Sequence, residues 1–295
     1  MATSTAAPAP RVARHDPRLD LVRKALRHGL VLLGGGIVLL LGLVALFGAA
    51  LAPYDPLTMD FTARFAPPSL AHPFGTDDFG RDLFSRVLYG ASVSFRVAII
   101  AVGISGTLGV TLGVAAGYLR GWVDEVVMRT MDVLFAFPAV LLAITVMAIL
   151  GRGVENAMIA IAIVYMPIFA RVTRGAVIAV RDREFVTAAR ALGQGHLRIM
   201  AVHVLPNSLG PIIVQTSLSL AFAILAEAAL SFFGLGTQPP DPSWGRMLAE
   251  GRSFLHQAPW MGIFPGLAIM VSVLGFNLLG DGLRDVLDPR FRGRG

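Results

Sequence analysis

The sequence predicts an all-α membrane protein with six transmembrane helices and a cytoplasmic helical elbow between the fourth and the fifth. Three observations lead there. Of the 295 residues, 55% are hydrophobic and only 15% are charged, where a soluble domain carries about a quarter. Mean hydropathy is +0.69. The apolar residues also fall in unbroken runs near the roughly 20 residues that a helix needs to cross a bilayer core.

Taken in order, the runs cover residues 29–51, 92–118, 133–150, 157–177, 209–232 and 260–279. They are apolar on every face, which does not suit the surface helices of a soluble fold. The first could pass for a signal peptide, because Ala50-Leu51-Ala52 imitates a cleavage site. Its apolar stretch is too long for an h-region of about 7–15 residues, and Pro53 would follow the cut. It reads as a transmembrane helix.

Charge sets the orientation. Eighteen of the 25 basic residues lie in segments 1–28, 119–132, 171–208 and 280–295. Basic loops stay on the cytoplasmic side, so both termini are expected to be cytoplasmic. The chain then divides into an N-terminal tail (1–28), a first transmembrane helix (29–52), an external loop (53–91), a five-helix core (92–281) and a C-terminal tail (282–295). The core holds the elbow at about 179–207.

Composition excludes several chemistries. There is no cysteine, hence no disulfide, thiolate metal site or cysteine nucleophile. The histidines at 15, 28, 72, 196, 203 and 256 form no HExxH-type pair, and no GxSxG elbow is present. No cofactor or metal is expected on this chain. Lys24, the only lysine, is followed by Ala25, so no P-loop exists to hold ATP. The net charge of +6 reflects membrane orientation rather than nucleic-acid binding.

Within the helices the devices are those of packing. Gly109, Gly113 and Gly117 recur every fourth residue in the second span, with Gly106 nearby, which lets another helix approach closely. Pro167 removes a backbone hydrogen bond from the fourth span and should bend it. Tyr54, Trp244 and Trp260 fall near the expected interfaces, where amphipathic rings collect. Asn277 suits a hydrogen bond between helices. Glu227, in the outer part of the fifth span, is costly in hydrocarbon. It is expected either to line a pathway or meet another subunit, or to lock spans together.

The elbow carries the most information. Residues 183–192 favour a helix that Gly193 can end. Residues 196–205 favour a second, stopped by Pro206. Phe185, Ala188, Ala189 and Leu192 recur at helical spacing and form a small apolar face. By periodicity that face suits either a partner protein or the membrane surface.

The run Ala188-Ala189-Arg190-Ala191-Leu192-Gly193, followed by Ile199 and Val204-Leu205-Pro206-Asn207, resembles the "EAA" loop of ABC importer permeases. In that family the loop is a coupling helix that docks the ATPase subunit. Thr187 stands where the family usually has glutamate, and Glu184 lies one turn earlier. Three further stretches resemble the C-type subunit of the dipeptide/oligopeptide/nickel permeases. They are residues 72–86 (HPFGTDDFGRDLFSR), 226–236 (AEAALSFFGLG) running on to Pro242-Ser243-Trp244-Gly245, and 277–290 (NLLGDGLRDVLDPR). Together the matches span roughly residues 50 to 290.

The resemblance implies a type I importer permease in the bacterial inner membrane. It implies a second homologous permease chain completing a heterodimer, two cytoplasmic ATPase subunits that bind ATP and Mg, and an external substrate-binding protein. The expected docking residues are Glu184, Phe185, Thr187, Ala188, Ala189, Leu192, Gly193 and Pro206. Dipeptides or oligopeptides are the expected substrates, with nickel or another small solute as the alternative. An ion-coupled secondary transporter is the rival class, with Glu227 its only candidate acid.

Outside the membrane, Pro53, Pro56, Pro67, Pro68 and Pro73 exclude regular helix. A short amphipathic helix is expected at 82–89. Asp77, Asp78, Arg81, Asp82 and Arg86 are there as candidate contacts for an external partner, or as parts of a cap over the bundle.

Overall fold

A computed structural model describes residues 23–287. The expectations for His15, for most of the N-terminal tail and for Asp288-Pro289-Arg290 lie outside the described residues. Nine helices of eight residues or more make up the described chain: α1 (Gly29–Leu51), α2 (Leu83–Leu119), α3 (Gly121–Phe135), α4 (Ala139–Leu150), α5 (Val154–Val180), α6 (Glu184–Ala191), α7 (Leu209–Phe232), α8 (Trp244–Gly251) and α9 (Trp260–Leu287). Among the described residues the only extended pairing is a single bridge between Thr76 and Asp82.

Helices α1, α2, α5, α7 and α9 are each long and apolar enough to cross a membrane. The third expected span behaves differently. Its residues divide between α3 and α4, which meet at 93°. Pro138 occupies the N-cap of α4. It cannot continue α3, because it has no amide hydrogen and disfavours helical backbone in the residue before it. At 12 residues, α4 is about 18 Å long, too short to span by itself. The described residues therefore hold five candidate spans, or six when the bent pair is counted as one broken span.

Helix α2 begins nine residues ahead of the expected span and absorbs the amphipathic helix expected at 82–89. Asp82 caps it, accepting from the Ser85 amide at 2.8 Å. No proline lies between there and Leu119, so the helix runs for 37 residues, about 55 Å. Helix α5 continues unbroken through Pro167, and α9 continues past residue 279 to Leu287.

The glycine stripe of α2 meets α5 as its spacing requires. A Cβ added at Gly109 would stand 2.6 Å from the Met166 carbonyl oxygen, and one at Gly113 would stand 2.7 Å from the Thr173 Cβ. The largest apolar core joins α2, α5, α7, α8 and α9 around Phe95, Ile161, Phe169, Ile224, Trp244 and Phe276. Trp244 is 1% exposed, and its indole donates to the Val87 carbonyl at 3.0 Å. It plugs the bundle instead of marking an interface. A smaller core at the other end of α2 gathers Val114, Tyr118, Val177, Val186, Ala189, Ile199 and Val204.

Candidate functional site

At the elbow, α6 ends as the sequence suggests. Gly193 takes φ +74°, a conformation that costs glycine nothing. Its amide donates to the Arg190 carbonyl, and the Gln194 amide donates to that of Ala189. This is the Schellman arrangement that satisfies the last carbonyls of a helix. The second limb departs from expectation. Pro206 does not stop it, because residues Ile199–Val204 widen into a π-helix and Leu205–Asn207 resume an α-turn. The wider turn relieves the clash that a proline ring makes with the preceding turn of an α-helix.

The four-residue apolar face expected on α6 divides. Ala189, with Val186, faces inward and is buried in the smaller core. Phe185 is 41% exposed and Leu192 is 80% exposed, as is Leu197 just beyond the turn. Ala188 and Thr187 share the exposed side, and so do Glu184 at the start of α6 and Pro206. The Thr187 hydroxyl donates back to the Arg183 carbonyl at 3.4 Å. The outer surface of the elbow is therefore apolar at its tip and fixed to the bundle beneath.

Behind the elbow stands Tyr118, at the C-terminal end of α2. Its hydroxyl lies 3.3 Å from His196 Nδ1 and accepts from Arg190 Nε at 3.3 Å. Neither these residues nor Leu197 carry a sequence signal of their own, since Tyr118 is 72 residues from one partner and 78 from the other.

At the other end of α2, four of the five charged residues expected as contacts for an external partner, or as parts of a cap over the bundle, are buried within this chain. Asp77 is 1% exposed, Arg81 4%, Asp82 3% and Arg86 1%. Asp77 accepts from Arg81 Nε at 2.6 Å and from the amides of Phe79 and Arg81 at 2.9 Å. Asp82 accepts from the Ser85 hydroxyl at 2.7 Å and meets His72 Nδ1 at 2.9 Å. Arg86 donates to the Pro56 carbonyl and, with Arg81, to Glu250 on α8. Charges this enclosed persist only when paired. They staple residues 56–86 to α8. Asp78 is half-buried, and its pKa is raised by burial and by the neighbouring Asp77. Glu250 was missed in the sequence, although its i,i+4 pairing with Arg246 is a helix signal that could have drawn attention to it.

Glu227 is also enclosed by this one chain. It is 1% exposed and accepts from the Ser94 hydroxyl of α2 at 2.9 Å and the Ser231 hydroxyl of α7 at 2.8 Å. Within this chain it ties α2 to α7. Asn277 is half-buried on α9. Neither lines the groove of about 520 Å³ that lies between α2, α5 and α7. Its walls include Ile99, Val102, Thr107, Thr111, Phe169 and Thr216.

Residues 109–293 match the family described as binding-protein-dependent transport system inner membrane component. Residues 17–68 match the N-terminal transmembrane domain of oligopeptide transport permease C. The dipeptide transport system permease protein of Alkalihalophilus pseudofirmus is 47% identical over 277 residues, covering 94% of this chain and 91% of the relative. A putative peptide transport system permease protein of Brucella suis is 46% identical, covering 92% and 90%. The glutathione transport system permease protein of Pectobacterium atrosepticum is 44% identical, covering 94% and 92%. Among solved structures, an inward-facing MetNI methionine ABC transporter chain has the same fold, with a TM-score of 0.57 at 15% identity over 68% of this chain and 96% of that one. With its helical bundle, its elbow and these matches over most of its length, the chain belongs to the family of binding-protein-dependent transport system inner membrane components, the permease subunits of ABC importers.

Proposed function

We propose that this permease forms half the transmembrane pathway of an importer for dipeptides and related short peptides. A second, homologous permease chain supplies the other half. Two cytoplasmic ATPase subunits bind ATP and Mg and hydrolyse the nucleotide, and an external binding protein delivers the peptide. Both termini are cytoplasmic, which places the elbow beside the ATPases. The groove between α2, α5 and α7 is this chain's share of the pathway. Its apolar walls and threonine hydroxyls suit passage better than tight binding, so selection falls to the binding protein. Peptide specificity is supported by relatives named for dipeptide, peptide and glutathione transport.

The observation that carries ATPase docking is the pair Leu192 and Leu197, each 80% exposed on an elbow whose underside is packed. Large apolar side chains held out from a rigid support fit a partner's pocket. The test is purification of the chain from its native membrane, followed by peptide uptake in vesicles. Two ATPase subunits and a sister permease should accompany the wild type. Leu192→Asp with Leu197→Asp should release the ATPases while the two permeases stay together. A chain that imports peptide with no ATPase present overturns the reading.

A further inference from the structure

Besides the small apolar core beneath it, the docking elbow is fastened to the bundle by one side chain that serves both of its limbs. Tyr118 closes α2, and its hydroxyl bridges Arg190 on α6 and His196 beyond the turn, 3.3 Å from each. The guanidinium of Arg190 also lies 5.2 Å from the centre of the Tyr118 ring, and the His196 ring stands edge-on to it at 5.7 Å. The chain turns between the two limbs at Gly193, around which there is open space.

Two further struts stiffen the same region. His203 Nε2 lies 2.8 Å from the side-chain oxygen of Gln194, which bridges the turn. Arg181, at the end of α5, donates to the Tyr118 carbonyl at 2.9 Å and to the Gly117 carbonyl at 3.3 Å. Those carbonyls belong to the last turn of α2, where helical partners run out. The elbow, the end of α5 and the end of α2 are thus one body.

Helix α2 carries that body across the membrane. It has no proline and runs to Asp82 on the far side, about 55 Å away. One turn in from that end, Arg86 grips Glu250 of α8. A rigid helix held at both ends transmits displacement where a loop would absorb it.

We infer that Tyr118 is a positioning residue for energy coupling: it delivers movement of the ATPase-docked elbow to α2, and α2 delivers it to the external cap. The inference rests on the docking reading. Tyr118 is buried beneath the elbow, 5% exposed. Its hydroxyl holds the two limbs of the elbow at a fixed angle to α2, so that a push at Leu192 and Leu197 moves the helix before it bends the turn.

The test uses the complete importer, with its own ATPases and binding protein, in proteoliposomes supplied with ATP and a radiolabelled dipeptide. Tyr118→Phe keeps the ring and removes the hydroxyl, and Arg190→Gln removes one limb's tie and keeps Tyr118. Both variants should retain the ATPase subunits through purification. Both should hydrolyse ATP yet move less peptide per ATP, by roughly fivefold or more, the lower range of ordinary coupling between sites. Wild-type peptide-to-ATP ratios in both variants overturn the inference. Loss of the ATPases from Tyr118→Phe also overturns it, because the hydroxyl then serves assembly. A wild-type chain that brings no ATPase removes the docking reading instead, a result visible before any variant is made.

Discussion

The Arg86 guanidinium lies 3.1 Å from the Glu250 carboxylate, across 164 residues of sequence, and joins the start of α2 to the short helix α8. Arg81 reaches the same oxygen at 3.4 Å. One carboxylate therefore answers two buried cations, while Asp77 neutralises the second side of each.

Removing Glu250 should cost more than the pair itself contributes, because Arg86 then stays buried with its charge poorly answered. Breaking one partner of such a pair typically costs about 3–5 kcal/mol, whereas an apolar replacement of both is close to neutral. Glu250→Ala is expected to lower the melting temperature of the purified chain in detergent sharply. Arg86→Met combined with Glu250→Leu should recover much of that loss. A single variant that melts like the wild type would show that the cap is held by its apolar contacts alone, chiefly Phe74 stacked on Phe264 at 3.9 Å.

Asp78 should make the same cap sensitive to pH in the opposite sense to most carboxylates. Burial, then the charge of Asp77, raises its pKa in the folded chain. The folded state consequently binds a proton more readily than the unfolded state. Its contribution to stability declines as pH rises from the unfolded value, about 3.9, through the raised folded value, and stays low above it. Asp78→Asn should raise the melting temperature at pH 7 and change it little below about pH 4, where the wild-type group is already protonated. Thermal melts across that range check the slope, and a variant less stable at pH 7 than the wild type would refute it.

The glycine stripe allows a graded test. Gly113→Ala places a methyl 2.7 Å from the Thr173 Cβ, with backbone of α5 on the other side, while a methyl at Gly103 meets nothing within 4 Å. Overpacking of this kind costs about 1–3 kcal/mol. Gly113→Ala should reduce folded yield and melting temperature, and Gly103→Ala should leave both unchanged. Equal behaviour of the two variants would mean that α2 and α5 can separate slightly without penalty.

These cases show what a linear reading can reach. Apolar runs reveal spans, because a bilayer imposes one length on every helix, and glycine spacing reveals close packing for the same geometric reason. The start of α2 was legible too, since Asp82 precedes a helix with no breaker, but the polar residues at 81–86 drew the eye to a surface helix. The bend at Pro138 was hidden in a run that is apolar on both sides of it. On α6, Ala188 and Ala189 are both apolar, and only tertiary contact decides which one turns inward. Charge pairing was the least legible of all. Arg86 and Glu250, or Tyr118 and Arg190, are brought together by chain folding alone, and nothing near either residue announces the other.

Glu227 decides whether a buried acid in this bundle is structural or functional. Its two oxygens each accept one serine hydroxyl, from Ser94 on α2 and Ser231 on α7, and the side chain is 1% exposed. An acid used for ion coupling would need a route for its ion, which this enclosure does not offer. Glu227→Gln keeps an acceptor for one serine and offers its amide to the other, so stability should fall by no more than about 1 kcal/mol. Glu227→Leu strands both hydroxyls, at about 1–3 kcal/mol for each buried group left unpaired. The discriminating measurement is peptide uptake by Glu227→Gln at a temperature where the protein remains folded. Near wild-type uptake, together with a lower melting temperature for Glu227→Leu, places the acid among the fastenings between α2 and α7. Abolished uptake in a fully folded Glu227→Gln importer would show that the charge itself is used, and the enclosure seen here would then have to open during each transport cycle.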